Sequence, residues 1–383
     1  MKKIKIFALF TTLFVLLGAC HNDDEKPAVL SARTVFMYLI ADNSISSDIY
    51  GNIASVEQGL KSAATPGTFV IYWDGPTNIT EFPVPTLFKY VVDSKGNVSK
   101  RTIIKTYSEQ NSSDQSVMLS VFRDMQELAP AESYGLIFGS HATGWLPENL
   151  NKSRSLGDDN GAKINIPELA EVLARTSIHF DYILMDACLM SQVEVAYELR
   201  NAADYLILSP AEVLSKGFPY ENITKYLLDS KDKEASIINV AKGFLEYYKN
   251  SWGTVAVIKS SGMNKLAEIT HSVLYTYREK IGNVDVNNLQ GYARFSMEGS
   301  TFDLRDFIDK LTDHNIPSEF DEQLNKTVIY KDAVGNSLGE LELNYECYSG
   351  IGCYIPQSGY SNWNNYFKEL QWYSAAGWND IAW

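Results

Sequence analysis

Cysteine is scarce in this chain: there are four in 383 residues, Cys20, Cys188, Cys347 and Cys353. That is too few for a disulfide scaffold, and none share the Cys-x2-Cys spacing of a zinc site. Basic residues are also in deficit, with 33 Lys and Arg against 47 Asp and Glu, a net charge of −14. A nucleic-acid binder needs a basic face, so this balance speaks against nucleic acid as a partner. Long apolar runs are missing too, since no stretch reaches the roughly 20 residues that cross a bilayer. What is present is an ordinary globular composition, 45% hydrophobic and 21% charged, without the low hydrophobicity of a disordered chain. The length suits one large domain or a catalytic domain with an appendage, because single cores stop growing near ~250–300 residues.

The N-terminus reads as an address. Lys2, Lys3 and Lys5 precede an apolar stretch over residues 6–17, the build of a secretory signal. The stretch ends in Leu17-Gly18-Ala19-Cys20, which resembles the lipobox of bacterial lipoproteins, whose cysteine becomes the lipidated first residue. Residues 1–19 are therefore expected to be a lipoprotein signal peptide, Cys20 the lipidation site and residues 20–32 a polar tether. The acidic run Asp23-Asp24-Glu25 in that tether is similar to a surface-export signal. The expected location is the bacterial outer membrane, at the cell surface, with the lipid as the membrane contact. An ordinary secretory signal with a chance cysteine is the other reading.

From Arg33 onward, buried-looking strands alternate with amphipathic helices. Strands are predicted over Thr34–Ile40, 69–73, 134–138, Phe180–Asp186, 205–208 and 255–258, and helices over 53–60, 117–128, 165–175 and 189–200. A hairpin is expected from 88–92 and Thr102–Thr106 around Lys95-Gly96. This alternation predicts an α/β domain over 33–260, a mostly parallel sheet with helices on both faces. Beyond residue 260 come longer helices, over 263–280 and 304–313, and a hairpin of 326–330 with 341–345 turning at Gly335-Asn336. Residues 261–383 thus read as a C-terminal α+β subdomain. Residues 146–163 lack periodicity and read as a long exposed loop, a feature usually tied to function in a compact domain.

His141 and Cys188 each follow the end of a predicted buried strand, the edge at which open parallel sheets keep their ligand crevice. Cys188 is expected to open the next helix, where the helix N-terminus and a nearby imidazolium would lower its pKa. A thiolate–imidazolium pair is the nucleophile and general acid of cysteine peptidases. Taken singly, such a cysteine is as readily a packed hydrophobe and such a histidine a solvent-facing side chain; their joint placement favours chemistry. Asp186 projects to the same side of its strand as Cys188, either lining the pocket or capping the helix. Two motifs fail their structural context. Gly335-Asn336-Ser337-Leu338-Gly339 lies between strand-like segments rather than at a strand–helix elbow. With Gly161 at position six of a calcium loop, position twelve is Pro167 instead of a glutamate. Whether Cys347 and Cys353 pair is left open.

A family resemblance adds to this. Tyr134-Gly135-Leu136-Ile137-Phe138-Gly139-Ser140-His141-Ala142-Thr143-Gly144-Trp145 resembles the histidine motif of the clostripain family of cysteine peptidases. Phe180-Asp181-Tyr182-Ile183-Leu184-Met185-Asp186-Ala187-Cys188-Leu189-Met190-Ser191 resembles its cysteine motif, and residues 34–43 and 349–356 resemble its first and a C-terminal strand. The resemblance implies a caspase-like fold with Cys188 as nucleophile and His141 as proton carrier. It places the oxyanion on the backbone N–H groups of Ala142 and Cys188, and a basic P1 side chain against Asp186, with Glu212 as a second charge. It also implies self-cleavage within 146–163, at Lys152 or Arg154. No cofactor is expected; calcium activates some members, but no ligand set is legible. Two departures stand out. Ala142 replaces the usual glycine, which would strain a backbone with φ > 0. Ser209-Pro210-Ala211-Glu212 replaces a more acidic stretch, and Lys216 opposes the pocket charge. The expected activity is an endopeptidase cutting proteins or peptides after Arg or Lys. The alternative is an inactive surface lipoprotein that binds peptides or glycans on the same scaffold.

Overall fold

The structure, a computed structural model, describes residues 30–147 and 156–383. The expected signal peptide, Cys20, Lys152 and Arg154 lie outside these residues. The first half runs β1 (Thr34–Ile40), α1 (Ser46–Ser62), β2 (Gly67–Asp74), β3 (Thr86–Val92), β4 (Thr102–Thr106), α2 (Gln115–Leu128) and β5 (Tyr134–Gly139). It continues through β6 (Leu156–Asp159), β7 (Ala162–Ile164), α3 (Ile166–Arg175), β8 (Phe180–Asp186), α4 (Val193–Leu199) and β9 (Ala203–Leu208). There follow α5 (Tyr220–Leu227), α6 (Lys233–Tyr248), β10 (Gly253–Lys259), α7 (Met263–Thr276), β11 (Phe302–Asp303), α8 (Leu304–Leu311), α9 (Ser318–Thr327) and β12 (Val328–Val334).

One nine-stranded sheet, in the order β12-β10-β9-β8-β5-β1-β2-β3-β4, organises the molecule. Its five middle strands, β9-β8-β5-β1-β2, are parallel, and antiparallel pairs extend it at both sides. All seven residues of β8 are buried, because a parallel strand covered on both faces has no polar side to show. Along it Ile183 and Met185 enter one core, and Tyr182 and Leu184 the other, the period of two that a strand imposes. α2, α3, α4 and α7 cover the first face, and α1, α5 and α6 the second. The start of α3 follows its sequence signal: Glu168 accepts the Asn165 N–H at 2.9 Å, half of a capping box, with Pro167 in the first turn.

Several expectations need correction. Residues 326–345 do not pair as a hairpin: α9 runs through Lys326, and β12 pairs antiparallel with β10. The open edge of β10 offers seven residues of backbone partners, which a short local hairpin cannot match. The tight turn lies instead between Leu338 and Leu341. The edge of the central sheet therefore comes from beyond residue 260. Helix α4 starts at Val193 rather than at residue 189, since Leu189 takes φ +61° and its N–H bonds Ala211 O at 3.0 Å. Nor is 146–163 exposed throughout. Leu146 and Leu156 are buried, and β6–β7 form a hairpin turning at Asn160-Gly161, with φ of 48° and 93°. Such a pair of positive φ values suits Asn-Gly. Cys347 and Cys353 are free thiols, Cys353 buried opposite Phe302.

Candidate active site

β5 and β8 are adjacent and parallel, with Gly139 opposite Asp186, so the loops after them leave the sheet side by side. β1 pairs with β5 on its other side, bringing the loop after Ile40 to the same edge. A cavity of about 370 Å³ opens there, and His141, Cys188, Asp186, Glu212 and Met297 are among its walls. The two candidate catalytic residues and both candidate pocket acids are thus brought together.

His141 is fixed from several directions. Its Nε2 lies 2.9 Å from Ser44 Oγ, and its carbonyl accepts the Gly157 N–H at 3.1 Å. Asn43 Nδ2 donates to Ile40 O and Asp158 O, both at 2.9 Å, tying the β1–α1 loop to the β6–β7 hairpin. Ala142 is not among the residues with positive φ, so the departure from glycine brings no strain. The left-handed position is Gly144, φ +68°, where a Cβ would stand 2.5 Å from Leu189 O.

Cys188 is half-buried, and its Sγ donates to Val213 O at 3.6 Å. Burial pushes the thiol up to about 12, with the Glu212 and Asp186 carboxylates adding to the rise and Arg294 opposing it. This corrects the expectation of a helix-stabilised thiolate. The residues after Cys188 are held by the β9–α5 loop, Ser191 N–H on Ser209 O at 2.9 Å, so no helix N-terminus reaches the sulfur.

Asp186 is buried and caps no helix. Its Oδ2 accepts the Phe218 N–H at 3.0 Å and the Tyr220 hydroxyl at 2.8 Å. Burial raises its pKa to about 6 against the pull of those two bonds. Gly217, φ +67°, makes the approach: a Cβ there would stand 2.3 Å from Oδ2. Glu212 reaches the cavity wall, but its carboxylate is taken by Arg294, whose Nε and Nη2 lie 3.1 and 2.5 Å from Oε1 and Oε2. Lys216 does not line this cavity; it lines a separate hollow with Asp48 and Glu221. Sequence reasoning missed Ser44, Tyr220 and Arg294, each distant along the chain from the residues it touches. No cluster of metal-ligating side chains forms among the described residues.

A cysteine and a histidine at the C-terminal edge of a parallel sheet, beside a buried aspartate, define a scaffold of the caspase-like cysteine-peptidase class. A sequence model of the clostripain family matches residues 37–383, and the chain belongs to that family. An inactive zymogen C11 protease from Parabacteroides distasonis is 30% identical, with a TM-score of 0.78 over 91% of this chain and 99% of its own. A secreted C11 cysteine protease from Bacteroides thetaiotaomicron, solved with an irreversible peptide inhibitor, is 29% identical, with a TM-score of 0.76 over 91% and 100%. Clostripain from Hathewaya histolytica is 24% identical over 217 residues, 50% of this chain. The match spans 41% of that curated relative's length.

Proposed function

We propose that this chain is a cysteine endopeptidase cutting after Arg or Lys through an acyl-enzyme on Cys188. The observation that carries this reading is the single cavity that holds Cys188, His141 and the buried Asp186. A basic P1 side chain pairs with Asp186. Cys188 leaves Val213 O and passes its proton to His141, and the thiolate attacks the scissile carbonyl. The Ala142 and Cys188 N–H groups hold the developing oxyanion. His141 then protonates the leaving amine, and water, deprotonated by the same imidazole, hydrolyses the thioester. Ser44, 2.9 Å from Nε2, helps orient the ring. A peptide-library cleavage profile tests the reading: enrichment of Arg and Lys at P1 is expected, and a profile indifferent to P1 charge would overturn it.

The hydrogen bond that engages the Cys188 thiol with Val213 O supports latency, as does similarity to a relative described as an inactive zymogen. We assign release to self-cleavage after Lys152 or Arg154, 11 and 13 positions beyond His141 in the sequence, a short tether of the kind that raises effective concentration. Mass spectrometry of the protein expressed from residue 21 should find that break in the wild type and not in Cys188→Ala. The same break in both would mean an outside protease. Lipidation at Cys20 and display on the outer-membrane surface complete the proposal, supported by the sequence motif alone.

A further inference from the structure

The cavity presents two carboxylates, yet only one is without a cationic partner among those described. Glu212 is held in a two-pronged ion pair by Arg294, and both side chains are largely covered, at 14% and 21% exposure for Arg294 and Glu212. Such geometry holds a partly desolvated pair firmly. Arg294 is itself fixed, donating through Nη1 to Leu338 O at 3.0 Å. Gly339, φ +61°, gives it room, since a Cβ there would stand 2.5 Å from that nitrogen. The segment carrying Arg294 also supplies Ser296 and Met297 to the lining of the cavity that holds Cys188. The pair therefore sits within the electrostatic reach of the nucleophile: Glu212 and Arg294 push the Cys188 thiol in opposite directions. Among the described residues, the other titratable side chains lining the cavity with Cys188 are Asp186 and His141.

We propose that Arg294 is a specificity-determining residue: by neutralising Glu212 it leaves a basic P1 side chain to be read by Asp186 alone. The inference rests on the basic-P1 reading above. If Arg294 is lost, Glu212 becomes a second anion in the pocket and discrimination in favour of basic side chains grows. If Glu212 is lost, an unpaired guanidinium repels them. The same two changes act oppositely on the nucleophile, because one adds a net negative charge beside it and the other a net positive charge.

The test uses the full processed protein as wild type, Arg294→Gln, Glu212→Gln, the double variant and the charge-preserving Arg294→Lys. Two quantities are read: the kcat/KM ratio for matched peptides with arginine or citrulline at P1, and the rate of Cys188 alkylation by uncharged iodoacetamide at pH 8. Arg294→Gln should raise the ratio at least ~5-fold and slow alkylation about tenfold, one pH unit of thiol ionisation. Glu212→Gln should lower the ratio and speed alkylation by similar factors. The double variant and Arg294→Lys should stay within about threefold of wild type in both, and Arg294→Lys keeps the test open should Arg294→Gln fail to fold. An unchanged or lower ratio in Arg294→Gln, or alkylation equal in all five proteins, would overturn the proposal. A wild type that does not distinguish arginine from citrulline overturns the basic-P1 reading instead, and the alkylation rates still decide whether the pair sets the charge at Cys188.

Discussion

Cys188→Ala and His141→Ala should each lower kcat/KM on an arginine-ending reporter by at least ~10³-fold, and the two together should lose little more than either alone. Groups that act as one unit are not additive: without the thiolate there is nothing to protonate, and without the imidazole nothing to carry the proton. The residual rate belongs to binding and the oxyanion site, which the substitutions leave in place. Neither change should unfold the protein. Cys188 is half-buried with one weak sulfur hydrogen bond, and the position of His141 is held by its backbone carbonyl on Gly157. Melting temperatures within a few degrees of wild type are expected, the range of substitutions that open no core cavity. A Cys188→Ala protein that still cleaves at near the wild-type rate would remove Cys188 from the chemistry.

What could be read from the sequence and what could not divides along a physical line. β8 is found at Phe180–Asp186, as predicted around the consecutive apolar residues 182–185, because burial on both faces leaves a signal in consecutive residues. The placement of His141 and Cys188 at one edge follows from two such strands being parallel neighbours. The state of the thiol was not legible. Residues 189–192 have the composition of a helix start, but Leu189 and Ser191 bond to Ala211 and Ser209, residues about twenty positions away, and that tertiary pairing overrides the local preference. Glu212 and Arg294 are 82 residues apart, and nothing in either neighbourhood announces the pair. β12 departs from the expected hairpin for the same reason: its partner is the edge of β10, not the nearer segment 341–345.

Asp186→Asn should cost about 100-fold in kcat/KM on arginine and lysine substrates and less than about threefold on neutral ones. The basis is charge: an asparagine still offers one oxygen to the Phe218 N–H and the Tyr220 hydroxyl, but it cannot neutralise a buried cation, an interaction of about 2–3 kcal/mol. The pH dependence gives an independent signature. Only the ionised carboxylate binds the cation, and its pKa in the free protein is about 6. Wild-type kcat/KM on an arginine substrate should therefore fall as pH drops through about 6. That limb should be missing from neutral substrates and from the variant, since kcat/KM reports groups of the free enzyme. Stability should move the other way. A carboxyl whose folded pKa lies above its ordinary 3.8 binds its proton more tightly when folded, so stability declines as pH rises from about 4 to about 6. Above that window wild type carries the full cost of a buried charge, and asparagine does not. The variant should melt higher than wild type at pH 7.5, with the gap narrowing toward pH 5. Equal losses on every P1 side chain, with a lower melting temperature at pH 7.5, would instead make Asp186 a support for the Gly217–Tyr220 loop and take it out of substrate recognition.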